Sequence, residues 1–344
     1  MKSTSNSKLK SYELPQNNGR LCYIDNIRFV LILLVVCGHF IEYGHVFPGV
    51  FKFIYMFHMP AFIFLNGYVT KENVRVEKKI GYLILYVVSV VLFWAFKKYF
   101  LGGDVKLTFF NPNPYTGLWY LLALFIWSLI FPIFVSLKPA VAVMLSLLLG
   151  LLAGFDDSVG QFLSLSRIIV FFPFYLLGYY AKEYKWLEKL KSFKLSAFIA
   201  AVVVIFFMFV AIKYKARIPK DLLVSKKSYS KMGMGYIDGI TYRSLFYIFA
   251  AILGCSVFML VPKCKMFFTT LGQNTIAIYL LHLLMIIYLS NTGMLANFTQ
   301  NYSPYWVFLA VIIVTFFFAI PFWSKPFNYI LSAKYVKFIE KDKR

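Results

Sequence analysis

Apolar and polar positions follow one another in long blocks along this chain, without the short period of an amphipathic helix or strand. Ten apolar blocks lie near 28–44, 51–69, 80–98, 118–137, 139–155, 166–181, 195–213, 242–261, 270–290 and 304–323, separated by polar stretches. A helix that crosses a bilayer needs about 20 mostly apolar residues. The pattern therefore predicts an all-α integral membrane protein, a bundle of about ten transmembrane helices. Pro60, Pro132 and Pro173 fall inside blocks, which a spanning helix tolerates where a neighbour satisfies the freed backbone groups. The boundary between the fourth and fifth blocks is the least sharply marked. The expected division is a polar N-terminal segment at 1–20, a transmembrane domain at 21–325 and a basic tail at 326–344. The N-terminal segment has neither an apolar core nor a small-residue cleavage site, so the first block is expected to stay in place as an anchor.

Composition supports a membrane class: of 344 residues 60% are hydrophobic, 20% aromatic and only 15% charged. The mean hydropathy is +0.71. The 36 Lys and Arg against 14 Asp and Glu would suggest nucleic acid in a soluble protein. Here the cations flank apolar blocks, so they are read as topology signals and no nucleic-acid partner is expected. With the N-terminus inside, 23 Lys and Arg fall on the inner side and 5 on the outer, leaving aside the single stretch 213–243. That bias predicts cytoplasmic termini and a multi-pass protein of the plasma membrane. The stretch 213–243 carries 8 further cations and should face outward. It is either a missed segment or a long loop outside the charge rule, or an external patch for anionic glycans or lipid headgroups. Cys22, Cys37, Cys255 and Cys264 show no CxxC spacing, and neither a disulfide framework nor a zinc site is expected.

Ionisable residues within spanning segments are functional candidates by default. His39, His45, His58 and His282 all fall in or at the edge of apolar blocks, and Glu42 is the acidic residue placed inside one. Arg28 and His39 are 11 positions apart, which on a helix leaves roughly 20° after three turns and about 16 Å of rise. They share a face, with the Arg at the inner mouth and the His past the middle of the bilayer. Glu42, three positions on, can orient the imidazole. His58 lies about 10 Å below the outer surface and His282 about 18 Å above the inner one, so three histidines are expected in one layer. The bland reading of a membrane histidine is a hydrogen bond between helices. HExxH, GxSxG and Walker sequences are missing, and no metal site is expected.

The runs YIDNIRFVLILLVVCGH, FKFIYMFHMPAFIFLNGY, LWYLLALFIW, FFPFYLLGYY and LGQNTIAIYLLH, in this order, resemble acyltransferase family 3, especially its sugar O-acetyltransferases. FIFLNGY resembles the family's FFxxSGY with Asn66 in place of Ser. The resemblance implies that activity depends on Arg28 and His39. His39 would be the base or acyl-carrying residue, and Arg28 would engage a cytosolic acyl donor, acetyl-CoA. Arg75, within the basic inner stretch 71–79, is a second candidate for the CoA phosphates. Glu42 and His58 are candidates to orient His39 or bind the acceptor, joined by Asn66, Arg167 and His282 as acceptor ligands. The implied acceptor is a sugar hydroxyl of a surface glycan or its lipid-linked precursor, with the module acting alone or with a separate extracellular transferase partner, among membrane lipids. Two other readings stay open: a transporter or flippase of a lipid-linked sugar with the histidines as a proton relay, and a receptor or assembly factor without chemistry.

Overall fold

The structure, a computed structural model, describes residues 16–17, 20–72, 75–112, 117–160, 162–192 and 196–332. Most of the N-terminal segment expected at 1–20 and residues 333–344 of the tail lie outside these. Every expected block contains a helix. The principal ones are α1 (Cys22–Gly44), α2 (Pro48–Val69), α3 (Val76–Ala95), α4 (Trp119–Val135), α5 (Pro139–Leu152) and α6 (Leu165–Glu183). They continue with α7 (Trp186–Ser192), α8 (Ser196–Lys213), α9 (Lys220–Val224), α10 (Tyr236–Leu260), α11 (Thr275–Asn291), α12 (Met294–Asn301), α13 (Pro304–Phe318) and α14 (Pro321–Ser332). A π-helical turn, Phe96–Phe100, prolongs α3.

Among the described residues six helices are long and apolar enough to cross a membrane, and up to eight if two bent pairs each count as one span. The pairs are α11 with α12, bent by 84°, and α13 with α14, bent by 58°. Each bend has a local cause: Gly293 takes a φ of +73°, and Pro321 cannot donate a backbone hydrogen bond. The remaining two blocks form α4 and α5, apolar helices of 17 and 14 residues, shorter than a full bilayer crossing. α14 runs across the boundary expected at 325 and packs on α3 and α11.

The helices differ sharply in how much they bury. Of the most apolar stretch of α1 72% is buried, and 67% for α2 and α6, against 22% for α8. Thus α1, α2 and α6 form the interior, while α8 presents apolar side chains outward on most of its surface. The α2–α6 crossing is close because it is built on reciprocal glycines. A Cβ on Gly67 would stand 1.9 Å from the Tyr175 carbonyl oxygen, and one on Gly178 would stand 1.9 Å from that of Phe64. Both glycines belong to the aromatic-rich runs FLNGY and LLGYY, so here the motif is a packing device.

α1 starts at Cys22, earlier than the expected residue 28, because polar Asp25 and Asn26 are satisfied inside the protein. Asn26 Nδ2 donates to the carbonyls of Pro262 (2.9 Å) and Cys264 (2.8 Å), and its Oδ1 accepts from Thr269 Oγ1 at 2.6 Å. At the opposite end the basic stretch resolves into a folded loop with the short α9, leading at Tyr236 into α10, and no additional spanning helix lies in it, which removes the missed-segment account. Tyr229 N donates to Gly154 O at 2.7 Å and Tyr229 Oη to Leu151 O at 2.8 Å. Its ring lies 4.9 Å from the guanidinium of Arg243, which is fully buried and donates to Gly150 O. Arg243 was part of the cation excess counted as outward-facing, and it is an internal strut.

Candidate functional site

On α1 one face carries a ladder of polar groups: Asp25, Arg28, His39 and Glu42. Arg28 Nη1 pairs with Asp25 Oδ1 at 3.2 Å, and Gln273 Nε2 donates to Asp25 Oδ2 at 3.0 Å. The arginine is thus held at two removes by the turn before α11. It opens onto a cavity of about 190 Å³ that also touches Asn66, Tyr120, Tyr279, Val35 and Met59. Asn66 Nδ2 donates to Phe62 O at 3.0 Å and to Tyr120 Oη, and Tyr279 Oη donates to Gly117 O. Asn328 and Leu331 of α14 complete the wall.

The cavity reaches to within one helical turn of each of three histidines. Val35 precedes His39 by one turn of α1, about 6 Å of rise; Met59 follows His58, and Tyr279 precedes His282 by three residues. The structure brings the three histidines together. The rings of His39 and His282 are 5.5 Å apart, and Tyr55 bridges His39 (6.4 Å) and His58 (4.6 Å). His58 Nδ1 lies 2.8 Å from Ile54 O and His282 Nδ1 2.6 Å from Ile278 O. A carbonyl only accepts, so both rings carry the proton on Nδ1 and leave Nε2 with its lone pair.

Glu42 sits on the other side of His39. Its Oε2 is 3.7 Å from His39 Nδ1, an electrostatic contact rather than a hydrogen bond, and accepts from Tyr55 Oη at 2.6 Å. Its Oε1 pairs with Lys220 Nζ of α9 at 2.9 Å. Arg167 is buried with its guanidinium 5.1 Å from the Trp119 ring, within electrostatic reach of Glu42, Tyr55 and His39. Arg28, His39 and Glu42 keep 19%, 15% and 22% of their side chains accessible, so each can be reached by a ligand. His39 Nδ1, His282 Nε2 and Arg167 Nε are buried without a hydrogen-bond partner among the described residues. Unpaired buried polar atoms cost about 1–3 kcal/mol each, and their clustering marks a place where a polar ligand fits.

The candidate residues therefore divide. His39, Glu42, His58, His282 and Arg167 converge. Asn66, expected to contact the acceptor, lines the cavity with Arg28 about 12 Å of α2 away from His58. Arg75, at the start of α3, does not line that cavity, although it and Arg28 both act on the charge of Lys78. Tyr55, Lys220, Tyr120, Tyr279, Asp25 and Gln273 were missed in the sequence. Of these only Asp25, three residues from Arg28, gave a local signal. No group of three or more His, Cys, Asp or Glu able to hold a metal occurs among the described residues.

A family model of the acyltransferase domain of acyltransferase family 3 matches residues 22–324, from the first residue of α1 into α14. No curated protein and no solved structure matches the chain.

Proposed function

The chain belongs to acyltransferase family 3, and on that premise we propose that this multi-pass membrane acyltransferase moves an acetyl group from cytosolic acetyl-CoA to a sugar hydroxyl of a cell-envelope polysaccharide or its lipid-linked precursor. The proposed setting is the plasma membrane, with ten crossings and both termini in the cytoplasm. The observation that carries this reading is the cavity that begins at Arg28 and ends one helical turn below His39.

Arg28, held by Asp25, meets the CoA phosphates, with Arg75 and Lys78 adding positive charge at the mouth. Asn66 belongs on this donor side. The thioester reaches the histidine layer along the Val35, Met59 and Tyr279 wall. His39, whose imidazole is the side chain suited to general-base work, takes the proton of the acceptor hydroxyl. The hydroxyl oxygen bonds to the thioester carbonyl carbon. The carbon–sulfur bond then breaks, and the imidazolium returns the proton to the departing sulfur. Glu42 faces Nδ1 and stabilises the imidazolium, while Tyr55 and Lys220 hold the carboxylate. His282 and Arg167 offer their unsatisfied edges to acceptor oxygens, with His58 beside them.

The test is radiolabelled acetyl-CoA given to membranes bearing the wild type or His39→Ala. Transfer of label to glycan is expected to fall at least about 10³-fold in the variant, with protein level and CoA binding retained. Equal labelling in the two would overturn the role of His39.

A further inference from the structure

A second cavity, of about 250 Å³, opens at the Glu42 end of the bundle. Its wall includes Tyr43, Lys97, Ser290 and Asn291. Tyr43 follows His39 by one turn of α1, and the two rings are 6.4 Å apart. His39 thus stands on α1 between Val35, which lines the Arg28 cavity, and Tyr43, which lines this one. On α11 Tyr279 and Ser290 bracket His282 in the same way.

This cavity is built rather than incidental. Lys97 comes from the π-helical turn Phe96–Phe100, a distortion that recurs at functional sites because it redirects side chains. Its neighbour Lys98 lies over the rings of Trp94 (5.2 Å) and Tyr99 (5.8 Å), and Lys97 lines the cavity. The following loop is tied down by Gly103 N donating to Lys97 O at 3.0 Å and by Trp94 Nε1 donating to Val105 O at 2.9 Å. A tyrosine face, a hydroxyl, a carboxamide and an ammonium are the groups that hold a sugar ring bearing an anionic substituent. The same end of the bundle carries exposed cations, Lys213, Lys215 and Arg217 among them, which favours an anionic ligand by long-range attraction.

We propose that this cavity is the acceptor subsite and that it selects an acidic saccharide, one whose ring carries a carboxylate or phosphate that Lys97 engages. The inference rests on the acyl-transfer reading and adds to it the side of entry, the residues and the substrate class.

The test uses three probes of equal length: a hexuronate oligosaccharide, a sugar-phosphate oligomer and a neutral hexose oligosaccharide. For the acidic probe that serves as acceptor, Lys97→Met is expected to raise KM about tenfold or more. KM for acetyl-CoA stays as in the wild type, and Lys97→Arg restores most of the loss. The hexuronate and phosphate arms identify which anion is read. A fall in kcat without a change in acceptor KM, or equal losses for acidic and neutral probes, would overturn the proposal. A readout free of turnover is thiol labelling of purified Ser290→Cys in a Cys264→Ser background, which the acidic probe is expected to slow. If the probe protects this thiol while no acyl group is transferred by the wild type, the subsite stands and the acyl-transfer reading falls. If transfer proceeds and protection fails, the subsite assignment falls alone.

Discussion

The two cavities on either side of His39 are built from different materials. The Arg28 cavity is cut into helices: its residues come from α1, α2, α3, α4, α11 and α14, and its arginine is braced by Asp25, itself braced by Gln273. The Tyr43 cavity is walled by the end of α1, a π-helical turn, the loop after it and the end of α11. Walls set in packed helices hold a geometry fixed, whereas loop walls change with little consequence for the core. That difference suits a donor of constant structure on one side and an acceptor that varies on the other. The interior of the bundle is the part both share.

The largest expected effect removes that shared part. Gly178→Val places its Cβ 1.9 Å from the Phe64 carbonyl oxygen, backbone that cannot swing aside. Overpacking of a well-packed contact costs about 1–3 kcal/mol, and more where backbone must shift. The variant is expected to lose about 3 kcal/mol or more and both ligand sites together, seen as a lower thermal midpoint in detergent and failure to bind CoA. A variant that melts like the wild type would mean that the α2–α6 crossing has slack there.

A smaller, one-sided effect separates the ends. Arg28→Ala is expected to raise KM for acetyl-CoA about 100-fold, the loss of roughly 2.7 kcal/mol of charge-assisted contact to phosphate. The KM of the acceptor should stay near the wild-type value. Titration of CoA binding and steady-state kinetics with each substrate varied in turn provide the check. Equal loss on both substrates would collapse the division between the two cavities.

The helices were legible because apolar blocks in a bilayer leave few alternatives. The phase of Arg28 and His39 survives because α1 is one continuous helix, and the common depth of His39, His58 and His282 follows from simple rise per residue. What could not be read is where polar groups find partners. The first block is expected from residue 28, yet α1 begins at Cys22, because carbonyls more than 230 residues along the chain satisfy Asn26. Tyr55 is one of 25 tyrosines, and nothing local distinguishes the one that holds Glu42. Lys220 belonged to a stretch whose charges looked like a diffuse patch. In the fold one of them reaches the catalytic candidate Glu42 and another, Arg243, is buried. Asn66 lines the cavity with Arg28, a placement that a motif position, which gives residue type alone, does not carry.

The smallest effect concerns how the loop bearing Lys220 is held at the Glu42 end. Ser228 and Ser230 donate to Asp157 Oδ1, and Lys231 Nζ donates to Asp157 O at 2.8 Å. Those two hydroxyl bonds, led by Ser228, hold the Asp157 carboxyl below its ordinary value of 3.8. A depressed carboxylate stabilises the clasped loop above the ordinary value, and that contribution is lost as pH falls through the lowered one. Asp157 is fully exposed, so the effect is modest. Amide exchange across 226–234, corrected for intrinsic rates, is expected to be a few-fold faster in Asp157→Asn than in the wild type near neutral pH. The two should converge only once the pH has fallen through that lowered value, where the wild-type carboxyl also becomes protonated. A difference that persists unchanged into acid would mean that the Asp157 charge does not hold the loop, and the ordering of Lys220 over Glu42 would then rest on contacts such as Tyr229 with Gly154 and Lys52 with Ile218 O.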